Sequence, residues 1–122
     1  YGIDVLLPMS DNLPFDFVVF HNNKFFKCQV KTTDTKTENN SLCFSLVTNN
    51  WSNKETHKYT IDEVDVVICC DLDTIYLFPM SELVDRRTIT LRTETPKNGQ
   101  VKGINFTKDY VISEDRISKI FC

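Results

Sequence analysis

Short apolar runs punctuated by Asn, Asp and Pro dominate this chain, and several alternate with polar positions at a period of two. That is the signature of strands and tight turns. Ile3 to Pro8 predicts a short apolar strand, with a turn at Asp11, Asn12 and Pro14. Phe15 to Phe20 and Phe25 to Thr33, rich in aromatic and β-branched residues, predict two more, joined through His21-Asn22-Asn23-Lys24. Ser41 to Val47 sets Leu42, Phe44 and Leu46 against Ser41, Cys43 and Ser45, as in a strand with one buried face. Val64 to Cys70 is almost continuously apolar, which predicts a central strand covered on both sides. Ile75 to Phe78 follows the turn at Asp71–Thr74, and Pro79 ends it. Thr88 to Thr93 alternates again.

The remaining segments read as polar connections: Asp34 to Asn40, Asn49 to Thr60 around Trp51, and the basic Pro96 to Gly103. Ser81 is placed to cap a helical turn reaching Val84. Ser113 is placed to cap a closing helix, with Glu114 and Asp115 where the helix dipole favours acids. The expected architecture is one α+β domain over residues 1–122, built on a mixed, mostly antiparallel sheet.

Asparagine tolerates positive φ, so Asn22-Asn23 can form a primed two-residue turn. His21 then pairs with Lys24, and the register continues to Phe17 opposite Cys28 and Asp16 opposite Gln29. One face carries Phe17, Val19, Phe26, Cys28 and Val30, the expected core side. The other gathers Asp16, Gln29 and Lys31, because strand residues two apart share a face. A one-residue slip would turn the carboxylate into the core, so the register is well specified. A carboxylate and an amide oxygen are hard ligands suited to Mg²⁺, and an ammonium beside them can orient water or stabilise negative charge on phosphate. The purely structural alternative is a cross-strand ion pair between Asp16 and Lys31, with Gln29 an ordinary strand residue.

Bulk properties narrow the function classes. The 122 residues carry a net charge of −3, with 41% hydrophobic and 25% charged residues, the balance of a soluble globular domain. No run is long enough to span a membrane, so no membrane partner is expected. Five cysteines, Cys28, Cys43, Cys69, Cys70 and Cys122, include no Cys-x-x-Cys pair, which favours reduced thiols and a cytoplasmic setting. A zinc site drawn from Cys28, Cys43, His21 and His57 has no ligand spacing in its favour. Charge is segregated. Arg86 to Lys108 holds six bases and one acid (6 − 1 = +5), whereas Asp62 to Asp73 holds five acids and no base. A basic face on an acidic protein suits phosphate, although solvated loops would explain both runs.

Pro14-Phe15-Asp16 followed by Gln29-Val30-Lys31 resembles the PD-(D/E)XK nuclease motif, an acid after a turn and then an acid-x-Lys strand. Within that superfamily the chain is similar to the bacterial group I intron homing endonucleases. The likeness runs through Gly2-Ile3-Asp4-Val5, Gln29-Val30-Lys31-Thr32-Thr33, Tyr59 with Asp62 to Asp65, Ile75-Tyr76-Leu77-Phe78-Pro79, Arg92 and Lys108-Asp109-Tyr110. It implies a restriction-endonuclease-like core with flanking helices and Mg²⁺-dependent cleavage of double-stranded DNA, with Mn²⁺ as an alternative ion. It also implies a homo-oligomer, dimer or tetramer, since cutting two strands takes two active sites. Asp16 would be the metal carboxylate, Gln29 a metal-site or water-positioning residue, the Val30 carbonyl a further ligand and Lys31 the catalytic lysine. Lys36, Arg86, Arg87, Arg92, Lys97 and Lys102 are the candidate DNA contacts, and Tyr59 and Asp65 are expected to pack and cap the sheet. Gln29 departs from the usual acid. The family also places an acidic residue on a helix before the first strand, and the 122 residues begin too late to show one. A Holliday-junction resolvase and a catalytically inert DNA-binding module are the alternative functions on the same scaffold.

Overall fold

The structure is a computed structural model that describes residues 2–10, 12–33, 41–50, 55–93 and 105–122. Its centre is a five-stranded sheet in the order β1-β2-β3-β7-β8, formed by β1 (Asp4–Leu6), β2 (Phe17–His21), β3 (Lys24–Thr32), β7 (Val66–Cys70) and β8 (Ile75–Pro79). The β3–β7 pairing is parallel and the other three are antiparallel. The expected mixed, mostly antiparallel sheet is therefore what forms. Between β3 and β7 the chain builds β4 (Ser41–Ser45), β5 (Val47–Asn50) and β6 (Glu55–Lys58); β9 (Thr88–Arg92) pairs with β4 and β5 with β6. One α-helix, α1 (Glu114–Ile120), is present among the described residues, fewer than the flanking helices expected.

Two apolar layers enclose the sheet. On one side Val67 and Cys69 of β7 and Tyr76 and Phe78 of β8 pack with Leu42, Phe44, Ile89 and Leu91 of the β4–β9 pair. On the other, Val19, Cys28, Val66 and Leu77 pack with Ile117 and Phe121 at the α1 end. Val66 and Val67 are both essentially inaccessible, at 1% and 0% exposure, so β7 is buried on both faces as its unbroken apolar run predicts.

Helix α1 starts where the sequence places it. The Ser113 hydroxyl accepts from the Arg116 N–H at 3.0 Å, replacing an absent intrahelical partner. Arg116 in turn donates to the Leu77 carbonyl at 2.7 Å and lies over the Tyr110 ring, which stacks on Phe78. Backbone bonds from Leu77 to Tyr110 and from Ile112 to Ile75 occupy part of the free edge of β8.

Several local expectations are corrected. The stretch taken as a loop, Asn49 to Thr60, contributes to the β5–β6 hairpin; its strands are almost wholly polar, so no alternation marks them, yet cross-strand backbone bonds do not depend on side-chain polarity. Ser81 caps nothing: the 3₁₀ turn spans Met80–Glu82, and Pro79 stands at its N-cap without a side-chain bond. The first strand covers only Asp4–Leu6, and β4 ends at Ser45, before Leu46. Asp34 to Asn40, Trp51 and Pro96 to Gly103 lie outside the described residues. No described helix is long and apolar enough to cross a membrane.

Candidate active site

The hairpin forms on the predicted turn. Asn22 and Asn23 adopt φ of 52° and 60°, the left-handed values of a primed turn, and the register runs from His21↔Lys24 to Phe17↔Cys28. There the ladder stops. Asp16 precedes β2 rather than extending it, a correction to its expected place opposite Gln29. Its N–H still reaches the Cys28 carbonyl at 2.8 Å, while its carboxylate swings across and accepts the Val30 N–H at 2.7 Å. The side chain thus supplies the acceptor that one more residue of β2 would have provided from the backbone. The effect is to bring an exposed carboxylate to the segment carrying Gln29 and Lys31.

Gln29 and Lys31 pair with Val67 and Cys69 of β7, two residues of the core beneath β4 and β9, so both sit at the rim of that layer. The expected division of faces holds, but the polar face is partly covered. Lys31 Nζ donates to the Tyr59 hydroxyl at 3.1 Å and lies 4.9 Å from the ring centroid. Tyr59 itself is 7% exposed, locked into the core. No ion pair joins Lys31 to Asp16, whose carboxylate accepts the Val30 N–H while Lys31 Nζ donates to Tyr59. The alternative of a cross-strand Asp16–Lys31 ion pair therefore does not hold. The Gln29 amide nitrogen approaches the Val30 carbonyl at 3.5 Å, the outer limit of a hydrogen bond. A half-turn of its terminal torsion exchanges nitrogen for oxygen.

Asp16 also lines an open cleft of about 290 Å³ with Leu7, Pro8, Ser10, Leu13 and Phe15. The oxygen donors linked through Val30 are the Asp16 carboxylate, which accepts its N–H, the Val30 carbonyl, and the amide of neighbouring Gln29. This all-oxygen set fits a hard cation that keeps water and shares phosphate oxygens, as Mg²⁺ does. It does not fit zinc. Among the described residues no three His, Cys, Asp or Glu side chains gather to hold a metal, so the Cys28, Cys43, His21 and His57 combination does not assemble. Cys28 and Cys69 are fully buried, and burial pushes each thiol up to about 12. Neither can serve as a thiolate near neutral pH.

A family model described as PD-(D/E)XK endonuclease matches residues 1–113. The chain belongs to the PD-(D/E)XK endonuclease family. Among solved structures, a bacterial homing endonuclease, I-Ssp6803I, is similar in fold, with a TM-score of 0.65 and 21% identity over 98% of this chain and 77% of that one. That likeness bears out the restriction-endonuclease-like architecture. No curated protein matches the chain.

The charged runs of this PD-(D/E)XK protein divide differently from their sequence order. Three of the five acids in 62–73, Glu63, Asp65 and Asp71, use their carboxylates as local fasteners. Asp65 accepts the Lys27 N–H at 2.8 Å, as its expected capping role requires. Asp71 accepts from the N–H groups of Asp73 and Thr74, and from the Tyr76 hydroxyl. The Asp62 carbonyl accepts from Lys27 Nζ. Glu63 binds His57 at 2.9 Å and the Thr60 N–H and hydroxyl at 3.1 Å; burial works against its charge, but these bonds win and hold its carboxyl below the usual range. Of the candidate DNA contacts, Arg86 and Arg87 are exposed just before β9, and Arg92 stands at its far end, about 17 Å from Arg87 at a strand's rise per residue. The buried Nε of Arg92 has no hydrogen-bond partner among the described residues. Lys36, Lys97 and Lys102 lie outside the described residues. The residue whose contact was not foreseen is Tyr59: it is 28 positions from Lys31 in sequence, and no local pattern joins them.

Proposed function

We propose that this chain is a metal-dependent endonuclease of the homing type that hydrolyses phosphodiester bonds of double-stranded DNA. The observation that carries the reading is the reach of the Asp16 carboxylate to Val30, between Gln29 and Lys31, while the Lys31 ammonium stays free of that carboxylate. An acid and a base brought to one strand segment without neutralising each other are available for separate tasks.

In this reading the Asp16 carboxylate, the Val30 carbonyl and the Gln29 amide oxygen hold Mg²⁺, with Mn²⁺ as a substitute. Such an ion, when bound, lowers the pKa of water and offsets charge on a phosphate. Lys31 donates to the attacking water or to a non-bridging phosphate oxygen, where its positive charge favours the more negative transition state. The Val30 N–H, donating to it at 2.7 Å, fixes the orientation of the Asp16 carboxylate. Arg86, Arg87 and Arg92, with Lys36, Lys97 and Lys102, contact the DNA backbone, positioning a duplex without reading its sequence. Cutting both strands calls for a homo-oligomer, a dimer or a tetramer.

Incubating the purified protein with supercoiled plasmid, with Mg²⁺ or with EDTA, tests this directly. Cleavage should require the metal and disappear in Lys31→Ala. Equal cutting by Lys31→Ala would remove Lys31 from the chemistry, and absence of cutting by the wild-type protein on plasmid, linear and four-way-junction DNA would leave the inert binding module as the function.

A further inference from the structure

We propose that Tyr59 is the positioning residue for the Lys31 ammonium, an inference that rests on the role given to Lys31 above. Lysine reaches its target on four flexible methylenes, and an ammonium acts in catalysis only when those torsions are restrained. Here two contacts of different kind come from one side chain. The Tyr59 hydroxyl accepts one of the three ammonium protons at 3.1 Å, and the ring lies 4.9 Å from Nζ. Two N–H donors remain for water and phosphate.

A positioning group must itself be held, and Tyr59 is. Its ring is buried in the layer between β7, β8 and the β4–β9 pair. The chain immediately after it is closed by Glu63 and Val64 N–H groups donating to the Thr60 carbonyl. The Glu63 carboxylate reinforces that turn through Thr60 and ties it back to His57, whose ring meets Tyr59 edge-on at 6.1 Å. The strand beneath Lys31 is equally fixed, by the parallel ladder to β7. The lysine is therefore a flexible side chain held at both ends: at its backbone by the sheet, and at its tip by a tyrosine of the core.

Tyr59→Phe removes the hydroxyl and leaves the ring to pack. The single-turnover cleavage rate should fall about 10- to 100-fold, the range for losing a group that orients an active-site residue. The DNA dissociation constant should stay within about twofold, because every charge that faces phosphate is still present. An independent readout is the ¹⁵N order parameter of Lys31 Nζ, which should drop in Tyr59→Phe while the unfolding transition stays cooperative. Wild-type cleavage by Tyr59→Phe together with loss of cleavage in Lys31→Ala would overturn the positioning role and leave the nuclease reading intact. An unchanged Nζ order parameter would overturn it whatever the cleavage result. Full activity of Lys31→Ala would instead overturn the role of Lys31 itself.

Discussion

Asp16 offers a substitution that separates its structural contribution from the chemical one proposed for it. Its carboxylate accepts the Val30 N–H at 2.7 Å from an exposed position. Asn keeps an oxygen acceptor in the same place and loses only the charge; Ala loses both. An exposed backbone N–H can turn to water, so the missing bond in Asp16→Ala should cost about 1 kcal/mol, the middle of the range for a hydrogen bond. With an unfolding entropy of about 2.1 cal/mol/K per residue, 122 residues give about 0.26 kcal/mol/K, so Asp16→Ala should lower Tm by about 4 °C. Asp16→Asn should change it by less than about half as much, since its acceptor survives. Cleavage should rank differently. Both variants lose the single carboxylate of the donor set, and both should cut on the order of 10²- to 10³-fold more slowly, the loss typical of removing one group that stabilises transition-state charge. Differential scanning fluorimetry and a timed plasmid-nicking assay at fixed Mg²⁺ read the two effects on the same preparations. The reasoning fails if Asp16→Asn cuts at close to the wild-type rate, because a neutral amide would then do everything assigned to the carboxylate.

Two further outcomes follow from the charged surface and the buried thiols. Replacing Arg86 and Arg87 together by Gln should reduce the slope of log K against log salt for DNA binding by about 1 for each arginine that touches a phosphate; an unchanged slope would remove that end of β9 from the interface. Cys28 and Cys69 stay protonated in the folded protein up to about 12, whereas an unfolded thiol ionises near its ordinary value of 9.0. The unfolded state therefore binds fewer protons above pH 9, and stability that is complete below it is lost towards pH 12, by up to about 1.4 kcal/mol per pH unit for each thiol. Urea titrations from about pH 8 to about pH 11 should show that decline in the wild type, and a weaker one in Cys28→Ala.

How much of the molecule is legible in its sequence depends on how local each cause is. Asn22-Asn23 fixes its own turn, and the apolar side chains on either side fix the register down to Phe17↔Cys28. Val66 to Cys70 announces burial on both faces because every position is apolar. The β5–β6 hairpin is invisible to the same reasoning, since its backbone bonds are made by residues with no apolar face to turn inward. Asp16 stands out by its place in a motif, but alternation alone would set it in the ladder; the chain instead leaves the sheet at Pro14-Phe15, and the side chain takes over the bond. Tyr59 needs the tertiary structure, because its partner comes from the opposite end of a connection that includes three strands.

The proposed site occupies the point where regular pairing ends, and this has a physical reason. Where strands pair to their last residue, each main-chain oxygen already accepts a ladder hydrogen bond and has only its second lone pair left. Because β2 begins at Phe17, the Val30 N–H is satisfied by Asp16, and the Val30 carbonyl faces a 3.5 Å amide contact in place of a ladder donor. A carbonyl in that state is a better ligand than one already paired, and the carboxylate that replaced the missing strand is beside it. Gln29 makes the arrangement more demanding, since an amide brings no charge: on the proposed reading Asp16 alone offsets a divalent ion, and the DNA phosphate must supply the rest. Cation and substrate would then bind best together, and a protein with a net charge of −3 would gain its affinity for DNA in part from the ion held between them.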